Sequence, residues 1–150
     1  MAETVQSIDI GVVWNDGVPE AVIITAGRHS ALALNAEEDD EDQRAVVLCW
    51  SGVRHQTIGG PNDEAISGHR LWKHGLENVL WIGEVNNSKL IAGLEKQNRV
   101  HTYHSKDLFT GLVHYIVRTK EDTVEVVATS LEVKRIAGST FEAAPLAFAD

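Results

Sequence analysis

The chain contains a single cysteine, Cys49, so an intrachain disulfide and a cysteine-based metal cluster are excluded. Cys49 lies in the apolar run 45–50, where a small buried core residue is expected. No apolar run approaches the roughly 18 to 20 residues that a transmembrane helix requires. The first residues also lack the basic and apolar regions of a secretory signal. We therefore expect a cytoplasmic protein that does not cross a membrane.

Positive charge is also scarce, because 13 Lys and Arg residues stand against 22 Asp and Glu residues, a formal net charge of −9. Such a surface repels phosphate backbones and anionic lipid surfaces, so nucleic acid and membrane partners are not expected. Six consecutive acids at 37–42 carry much of the excess. Because these carboxylates repel each other and cannot pack together, the run predicts an exposed loop.

Motifs with a fixed chemistry are absent as well. The sequence has neither the Gly-Lys-Ser/Thr of a phosphate-binding loop nor the Gly-x-Gly-x-x-Gly of a dinucleotide site, and it lacks His-Glu-x-x-His. No serine has the Gly-x-Ser-x-Gly context of a nucleophile elbow. We therefore expect no organic cofactor and no motif-defined metal site.

Apolar periodicity predicts a sheet that is interrupted by helices in the middle of the chain. Strands are expected over 5–14, 20–25, 30–35, 45–50, 53–58, 79–85, 113–118 and 123–136, with an Asn-Asp-Gly turn joining the first two as a hairpin. Helices are expected over 63–74, over 89–97 with Ser88 as cap, and over 106–112. The predicted fold class is α+β, a mostly antiparallel curved β-sheet with two or three helices inserted mid-chain, in a single domain over 1–136. The tail 137–150 is expected to be disordered or packed against a partner.

The segment after the Gly-Gly-Pro turn is the strongest site candidate, because it places reactive side chains where the backbone bends. Asp63 and Glu64 can accept protons, His69 can act as a base near neutral pH, and Arg70 can grip a carboxylate through two parallel hydrogen bonds. Trp72 is expected at a pocket wall. In a regular helix Glu64 and His69 would lie about 140° apart around the axis. An acid–base pair therefore needs a partner from elsewhere or a non-helical start.

A second group of polar side chains comprises Arg99, His101, Tyr103 and His104. Two histidines spaced by three can share a metal ion, so one interpretation is a zinc site that takes a third ligand from elsewhere in the chain. The other interpretation is a polar ligand pocket without metal. This group would then form the second wall of a site whose first wall is the segment after the Gly-Gly-Pro turn.

His114 is a further candidate, on the predicted strand 113–118. Glu125 lies on the following strand and could face it, which would make a cross-strand pair. The register that decides this pairing is not readable from the sequence. If helices cover that face of the sheet, both side chains become buried polar groups that need partners.

These observations favour a small-molecule-binding domain, and specifically an enzyme that uses histidine and carboxylate acid–base chemistry on a polar or carboxylate-bearing metabolite. His69 or His101 would be the base, Glu64 or Asp63 its partner, and Arg70 the anchor for the substrate. One alternative is a non-enzymatic interaction domain whose acidic loop and apolar tail meet a protein partner. The other is a metal-dependent hydrolase with histidine ligands. Expected partners are a small molecule and a second copy of the chain in a homo-oligomer.

Overall fold

In the computed structural model, which describes residues 1–149, the chain forms nine β-strands, two α-helices and four short 3₁₀ helices. The strands are β1 (Thr4–Ser7), β2 (Val22–Ala26), β3 (His29–Leu34), β4 (Ala45–Ser51), β5 (His55–Gly59), β6 (Ile82–Asn86), β7 (Val113–Arg118), β8 (Thr123–Ala128) and β9 (Ser130–Ile136). The α-helices are α1 (Lys89–Asn98) and α2 (Thr140–Leu146), and the 3₁₀ helices are Ile66–Gly68, Trp72–His74, Leu76–Asn78 and Lys106–Phe109. None of the helices in this part of the chain is long and apolar enough to cross a membrane.

The strands form two sheets whose inner faces share the main core. The order is β1-β6-β7-β8-β5 in the first sheet and β2-β3-β4-β9 in the second, and neighbouring strands are antiparallel. Trp14 and Trp50 are buried between the sheets among aliphatic side chains of both. The predicted mostly antiparallel strands agree with an α+β fold. The strands form two sheets in place of one curved sheet, and among residues 1–149 one α-helix, α1, lies mid-chain, where we predict two or three helices.

The two sheets meet at a corner where β4 leads into β5 and β8 leads into β9. Thr129, between β8 and β9, donates its backbone N–H to the carbonyl of Ser51 at 3.0 Å. Gly52 allows the bend, because its φ is +66° and a Cβ there would lie 2.2 Å from Thr129 Oγ1. The predicted continuous strand over 123–136 is therefore wrong. The chain changes sheets at Thr129, while the glycine that marks the corner lies in the connection between β4 and β5.

Residues 61–80, here called the covering segment, lie over the outer face of the first sheet. Their side chains Ile66, Leu71 and Leu76 are buried in an apolar cluster with residues of β1, β6 and β7. Helix α1 and the following 3₁₀ helix cover the rest of this face, where they pack around Val127. The outer face of the first sheet is thus closed by two apolar clusters.

Helix α2 lies within the tail for which we predict disorder or a partner. Ser139 and Glu142 form a capping box at its start. Ala143 and Ala144 are fully buried against the outer face of the second sheet. Residues 140–147 of the tail therefore pack on their own chain.

The predicted helix over 63–74 is wrong, since the covering segment contains three short 3₁₀ helices. Its buried residues Ile66, Leu71 and Leu76 are five positions apart. A regular α-helix would turn such residues about 140° away from one another, so it could not bury all of them on one face. Packing against the sheet therefore overrides the capping signals at the start of this segment.

Three other predicted elements compare differently with the structure. The hairpin between 5–14 and 20–25 is wrong, because β1 pairs with β6 and β2 pairs with β3. Helix α1 is confirmed, with Ser88 accepting the N–H of Ile91 as its cap. The short helix expected over 106–112 is a 3₁₀ helix that ends at Phe109.

Candidate functional site

The carboxylate of Glu125 lies at the centre of a polar cluster on the outer face of the first sheet, with 10% of its side chain exposed. Arg70 donates two hydrogen bonds to it, from Nη2 to Oε1 at 2.6 Å and from Nη1 to Oε2 at 2.9 Å. His114 Nε2 lies 2.8 Å from Oε1, and His69 Nε2 lies 3.4 Å from Oε2. Side chains from three parts of the sequence therefore converge on one carboxylate.

His114 is fully buried, and its ring is engaged at both nitrogens. Nε2 faces the carboxylate of Glu125, which only accepts hydrogen bonds when ionised, so this nitrogen carries a proton. Nδ1 lies 2.7 Å from Oγ of Ser88, and this Oγ accepts the N–H of Ile91 at 3.1 Å. When the imidazole is neutral, its Nδ1 therefore accepts a hydrogen bond from the Ser88 hydroxyl. Ser88, His114 and Glu125 form one hydrogen-bonded relay.

His69 is held in the same tautomer by its own segment. Its Nδ1 accepts the backbone N–H of Leu71 at 3.0 Å, which leaves the proton on Nε2, facing Glu125. Only 5% of the His69 side chain is exposed. The non-helical turn of the covering segment therefore sets the orientation of this ring, and it places Nε2 in a longer electrostatic contact with the carboxylate than those of Arg70 and His114.

The cluster keeps Glu125 ionised. Burial acts to raise the pKa of its carboxyl, but the hydrogen bonds from His114, His69 and Arg70, together with the positive charge of Arg70, hold that pKa well below its ordinary value. The hydrogen bond to Glu125 also raises the pKa of Arg70. The Arg70–Glu125 pair is thus charged at neutral pH, and Arg70 reaches solvent, with 53% of its side chain exposed.

Strand register brings the buried members of the cluster together. Glu125 of β8 lies opposite Ile116 of β7, and His114 lies opposite Val127. His114 and Glu125 are therefore diagonal neighbours on the outer face, a spacing that long polar side chains can bridge. The cluster sits between the apolar cluster around Ile116 and the one around Val127. Such surroundings strengthen hydrogen bonds and raise the cost of leaving any of them unmade.

A surface cavity of about 520 Å³ opens beside Arg70 and is also lined by Glu3, His74 and Lys89. Glu3 is buried, and its Oε2 accepts the backbone N–H of Lys89, the first residue of α1, at 2.9 Å. An anionic ligand in this cavity would meet the cations of Arg70 and Lys89. The cavity volume falls within the range of about 300–1,000 Å³ that is usual for small-molecule sites.

The structure separates the residues predicted in the covering segment. His69 and Arg70 belong to the polar cluster, whereas Asp63 and Glu64 are exposed at the start of the segment. The carboxylate that contacts His69 is that of Glu125. Trp72 is half-buried against the apolar cluster of the covering segment.

The residues predicted around 98–104 form a separate group at the end of α1. Arg99 Nε donates to Glu95 at 2.9 Å, and His104 Nδ1 lies 2.9 Å from the side-chain nitrogen of Asn98. Tyr103 is 84% exposed. These contacts hold the chain at the end of the helix.

His101 lines a different surface cavity, of about 540 Å³, together with Arg54. The two walls that we predict for one site therefore belong to two cavities. Among residues 1–149, no group of three or more His, Cys, Asp or Glu side chains is arranged to hold a metal ion. The zinc interpretation built on His101 and His104 thus has no third ligand in this part of the chain.

Sequence reasoning missed Ser88 and Glu3 as members of the cluster. Ser88 is predicted as a helix cap, but its bond to His114 depends on the pairing of β6 with β7, which sets Val85 opposite His114. Glu3 reaches the cluster because β1 pairs with β6, a long-range contact without a local sequence signal. Glu125 is predicted only as the cross-strand partner of His114, and the structure shows that pair.

Comparisons of the chain with protein-family models, with curated proteins and with solved structures find no match. Function must therefore be argued from the site itself, from its geometry, charges and hydrogen bonds.

Proposed function

We propose that this protein binds a small carboxylate-bearing molecule in the cavity beside Arg70 and acts on it by acid–base chemistry that uses His114 and Glu125. The convergence of Arg70, His114 and His69 on the buried Glu125, next to an open cavity, carries the proposal. Burying charged groups is costly. Clusters in which burial and specific charge partners strongly perturb a pKa are concentrated at functional sites.

Arg70 is suited to anchor an anion because Glu125 uses only part of its guanidinium. The group has five N–H donors, and Glu125 accepts hydrogen bonds from two nitrogens. About half of the side chain is exposed, and the positive charge of Lys89 lines the same cavity. A ligand carboxylate can therefore bind the outer side of a guanidinium that Glu125 holds rigidly from the inner side.

His114 is the base in this proposal, instead of His69 or His101. The Nδ1 atoms of His69 and His101 each accept a backbone N–H, so the lone pair that would accept a substrate proton is occupied in both rings. The Nδ1 of His114 faces a hydroxyl, that of Ser88. Glu125 fixes the tautomer of His114 and stabilises the imidazolium that forms when His114 takes up a proton.

Titration with small carboxylates tests the anchoring role of Arg70. A panel of mono- and dicarboxylates is added to ¹⁵N-labelled protein, and amide shifts are expected to change around Arg70 and Lys89. Arg70→Gln removes the charge that pairs with the ligand and is expected to weaken binding by roughly tenfold or more. Arg28→Gln, which removes an exposed arginine in the turn between β2 and β3, is the matched control and is expected to bind as wild type does.

Two results would contradict the proposal. One is that no carboxylate of the panel binds at millimolar concentration. The other is that folded Arg70→Gln, checked by circular dichroism, binds the ligands as tightly as the wild type and the Arg28→Gln control do.

A further inference from the structure

A hydroxyl, an imidazole and a carboxylate form a chain of hydrogen bonds in the polar cluster. Ser88 Oγ is 2.7 Å from Nδ1 of His114, and Nε2 of His114 is 2.8 Å from Oε1 of Glu125. With His114 neutral and its proton on Nε2, the Ser88 hydroxyl is the donor and Nδ1 the acceptor. In this arrangement a base can withdraw the proton of a nucleophilic hydroxyl while a carboxylate orients the base and stabilises its protonated form.

Ser88 lies at a sharp turn between β6 and α1. Asn87, in this turn, has a φ of 55°, the one positive φ outside glycine among residues 1–149. Ser88 is partly exposed, whereas His114 is fully buried. The next residue, Lys89, lines the cavity with Arg70. Ser88 is therefore adjacent in sequence to a residue that lines the cavity in which we place the ligand carboxylate, and the base that contacts its hydroxyl is buried.

We propose that Ser88 is the nucleophile in the hydrolysis of an ester whose acyl part carries a carboxylate that Arg70 holds. This inference rests on the proposed function and adds the reaction class to it. Ser88 Oγ forms a bond to the carbonyl carbon while its proton passes to Nδ1 of His114. The tetrahedral adduct then expels the alcohol, which takes that proton. Water attacks the acyl-serine, gives a proton to His114 and releases the acid, and the proton returns to Ser88. One ester and one water become one acid and one alcohol.

Neighbouring charges limit the rate that this relay can reach. Arg70 shares the negative charge of Glu125, so the carboxylate stabilises a protonated His114 less than an unshared carboxylate would. The N–H of Lys89 could stabilise the oxyanion of the adduct, but the carboxylate of Glu3 already accepts it at 2.9 Å. The oxyanion formed from any ester must therefore displace the carboxylate of Glu3 from this N–H. Activated esters, whose leaving groups need little assistance, are the appropriate probes.

Acylation by activated esters tests the nucleophile. Wild-type protein is treated with p-nitrophenyl acetate and with the p-nitrophenyl monoester of succinic acid, and the acylated residue is located by peptide mass spectrometry. Ser88→Asn is the decisive variant, because asparagine preserves the cap of α1 but has no nucleophilic hydroxyl. Ser67→Ala, which removes an exposed serine of the covering segment, is the matched control.

We expect the acyl group on Ser88 in the wild type and in Ser67→Ala, with release of p-nitrophenol on the order of 100-fold faster than in Ser88→Asn. The succinyl ester is expected to react faster than the acetyl ester. Acylation confined to other residues, or an unchanged rate in folded Ser88→Asn, overturns the inference. If Ser88→Asn does not fold, the identity of the residue that is acylated in the wild type decides whether the inference holds.

The binding proposal and the nucleophile proposal can be refuted independently of each other. Carboxylate binding that depends on Arg70, without acylation of Ser88, refutes the nucleophile and leaves the binding function in place. Acylation of Ser88 by the acetyl ester, without carboxylate binding at Arg70, refutes the anchor and leaves a serine nucleophile that acts on neutral esters.

Discussion

Replacement of Glu125 by glutamine tests whether the polar cluster is organised as its geometry indicates. Glutamine has nearly the same shape, but it is neutral, and its amide nitrogen donates where a carboxylate oxygen accepts. In the wild type, Oε1 accepts from both Arg70 and His114, and Oε2 accepts from Arg70. Glu125→Gln therefore leaves at least one of these donors without a partner in a site that is shielded from water.

The size of the effect follows from the burial of the two partners. Removing one member of a buried ion pair typically costs about 3–5 kcal/mol, because the other charge stays buried without compensation. Here Arg70 is 53% exposed, so water can solvate the guanidinium once Glu125 is neutral. The cost therefore falls below that range, and we expect a loss of about 2–3 kcal/mol at neutral pH. For a chain of this length the loss corresponds to a fall in Tm of about 5–10 °C.

The pH dependence of this loss has a definite sign. The pKa of Glu125 in the folded protein lies below its ordinary value of 4.5. Below that ordinary value the unfolded chain binds a proton that the folded chain does not bind, so the contribution of Glu125 to stability is full above pH 4.5 and is lost as the pH falls further. The stability difference between wild type and Glu125→Gln is therefore expected to be constant near neutrality and to shrink in acid.

Urea unfolding followed by tryptophan fluorescence measures this difference from pH 7 down to the lowest pH at which both proteins fold. Glu121→Gln, which neutralises an exposed carboxylate in the turn of the same β7–β8 hairpin, is the matched control and should change stability little. Other carboxyl groups with lowered pKa values contribute equally to the stability of both proteins, so their contributions cancel in the difference. A loss smaller than about 1 kcal/mol, or a difference that does not change with pH, would refute the reasoning.

Two further predictions concern the scaffold. Gly75→Ala is expected to destabilise the protein by about 2 kcal/mol or more in urea unfolding, because φ is +117° there and the new Cβ would lie 2.2 Å from the carbonyl oxygen of Val5. The matched change Gly93→Ala, in α1 with no atom within 4 Å of the new Cβ, should instead stabilise by about 0.5–1 kcal/mol. Arg135→Gln should make the acidic loop 37–42 a faster target for a glutamate-specific protease, because Arg135 Nη2 binds Asp40 Oδ2 at 2.6 Å. Unchanged cleavage would show that Arg135 does not hold the loop.

Local signals were sufficient for some elements of the fold. Helix α1 follows from the cap at Ser88 and the apolar face that Leu90, Ile91 and Leu94 form. The β7–β8 hairpin follows from alternation and a short polar turn. Pairing between strands far apart in the sequence is not encoded locally, so the sequence pattern suggested a hairpin for β1, whose partner is β6. The change of sheet at Thr129 is not readable locally for the same reason, since the glycine that allows it lies in the connection between β4 and β5.

The sequence indicated some members of the polar cluster but not their arrangement. His69, Arg70 and His114 were chosen for their chemistry, and all three contact Glu125. The expected acidic partners of His69 were its sequence neighbours, and the actual carboxylate comes from β8. Side-chain type indicates which residues can carry chemistry, whereas the register of β7 and β8 decides which of them meet. The capping role of Ser88 could be predicted from the sequence, whereas its contact with His114 could not.

The covering segment does not need the polar cluster to hold its position on the sheet. Ile66, Leu71 and Leu76 are each no more than 5% exposed and already fix the segment on the sheet. A buried ion pair is a weak source of stability, and well-packed apolar residues often serve equally well or better in its place. Burying the carboxylate of Glu125 beside a half-exposed Arg70 thus costs free energy of folding, although apolar packing already holds the segment in place. A binding or catalytic function that requires a fixed charge beside an open cavity would account for the burial of this carboxylate. The arrangement therefore favours such a role over a purely structural one.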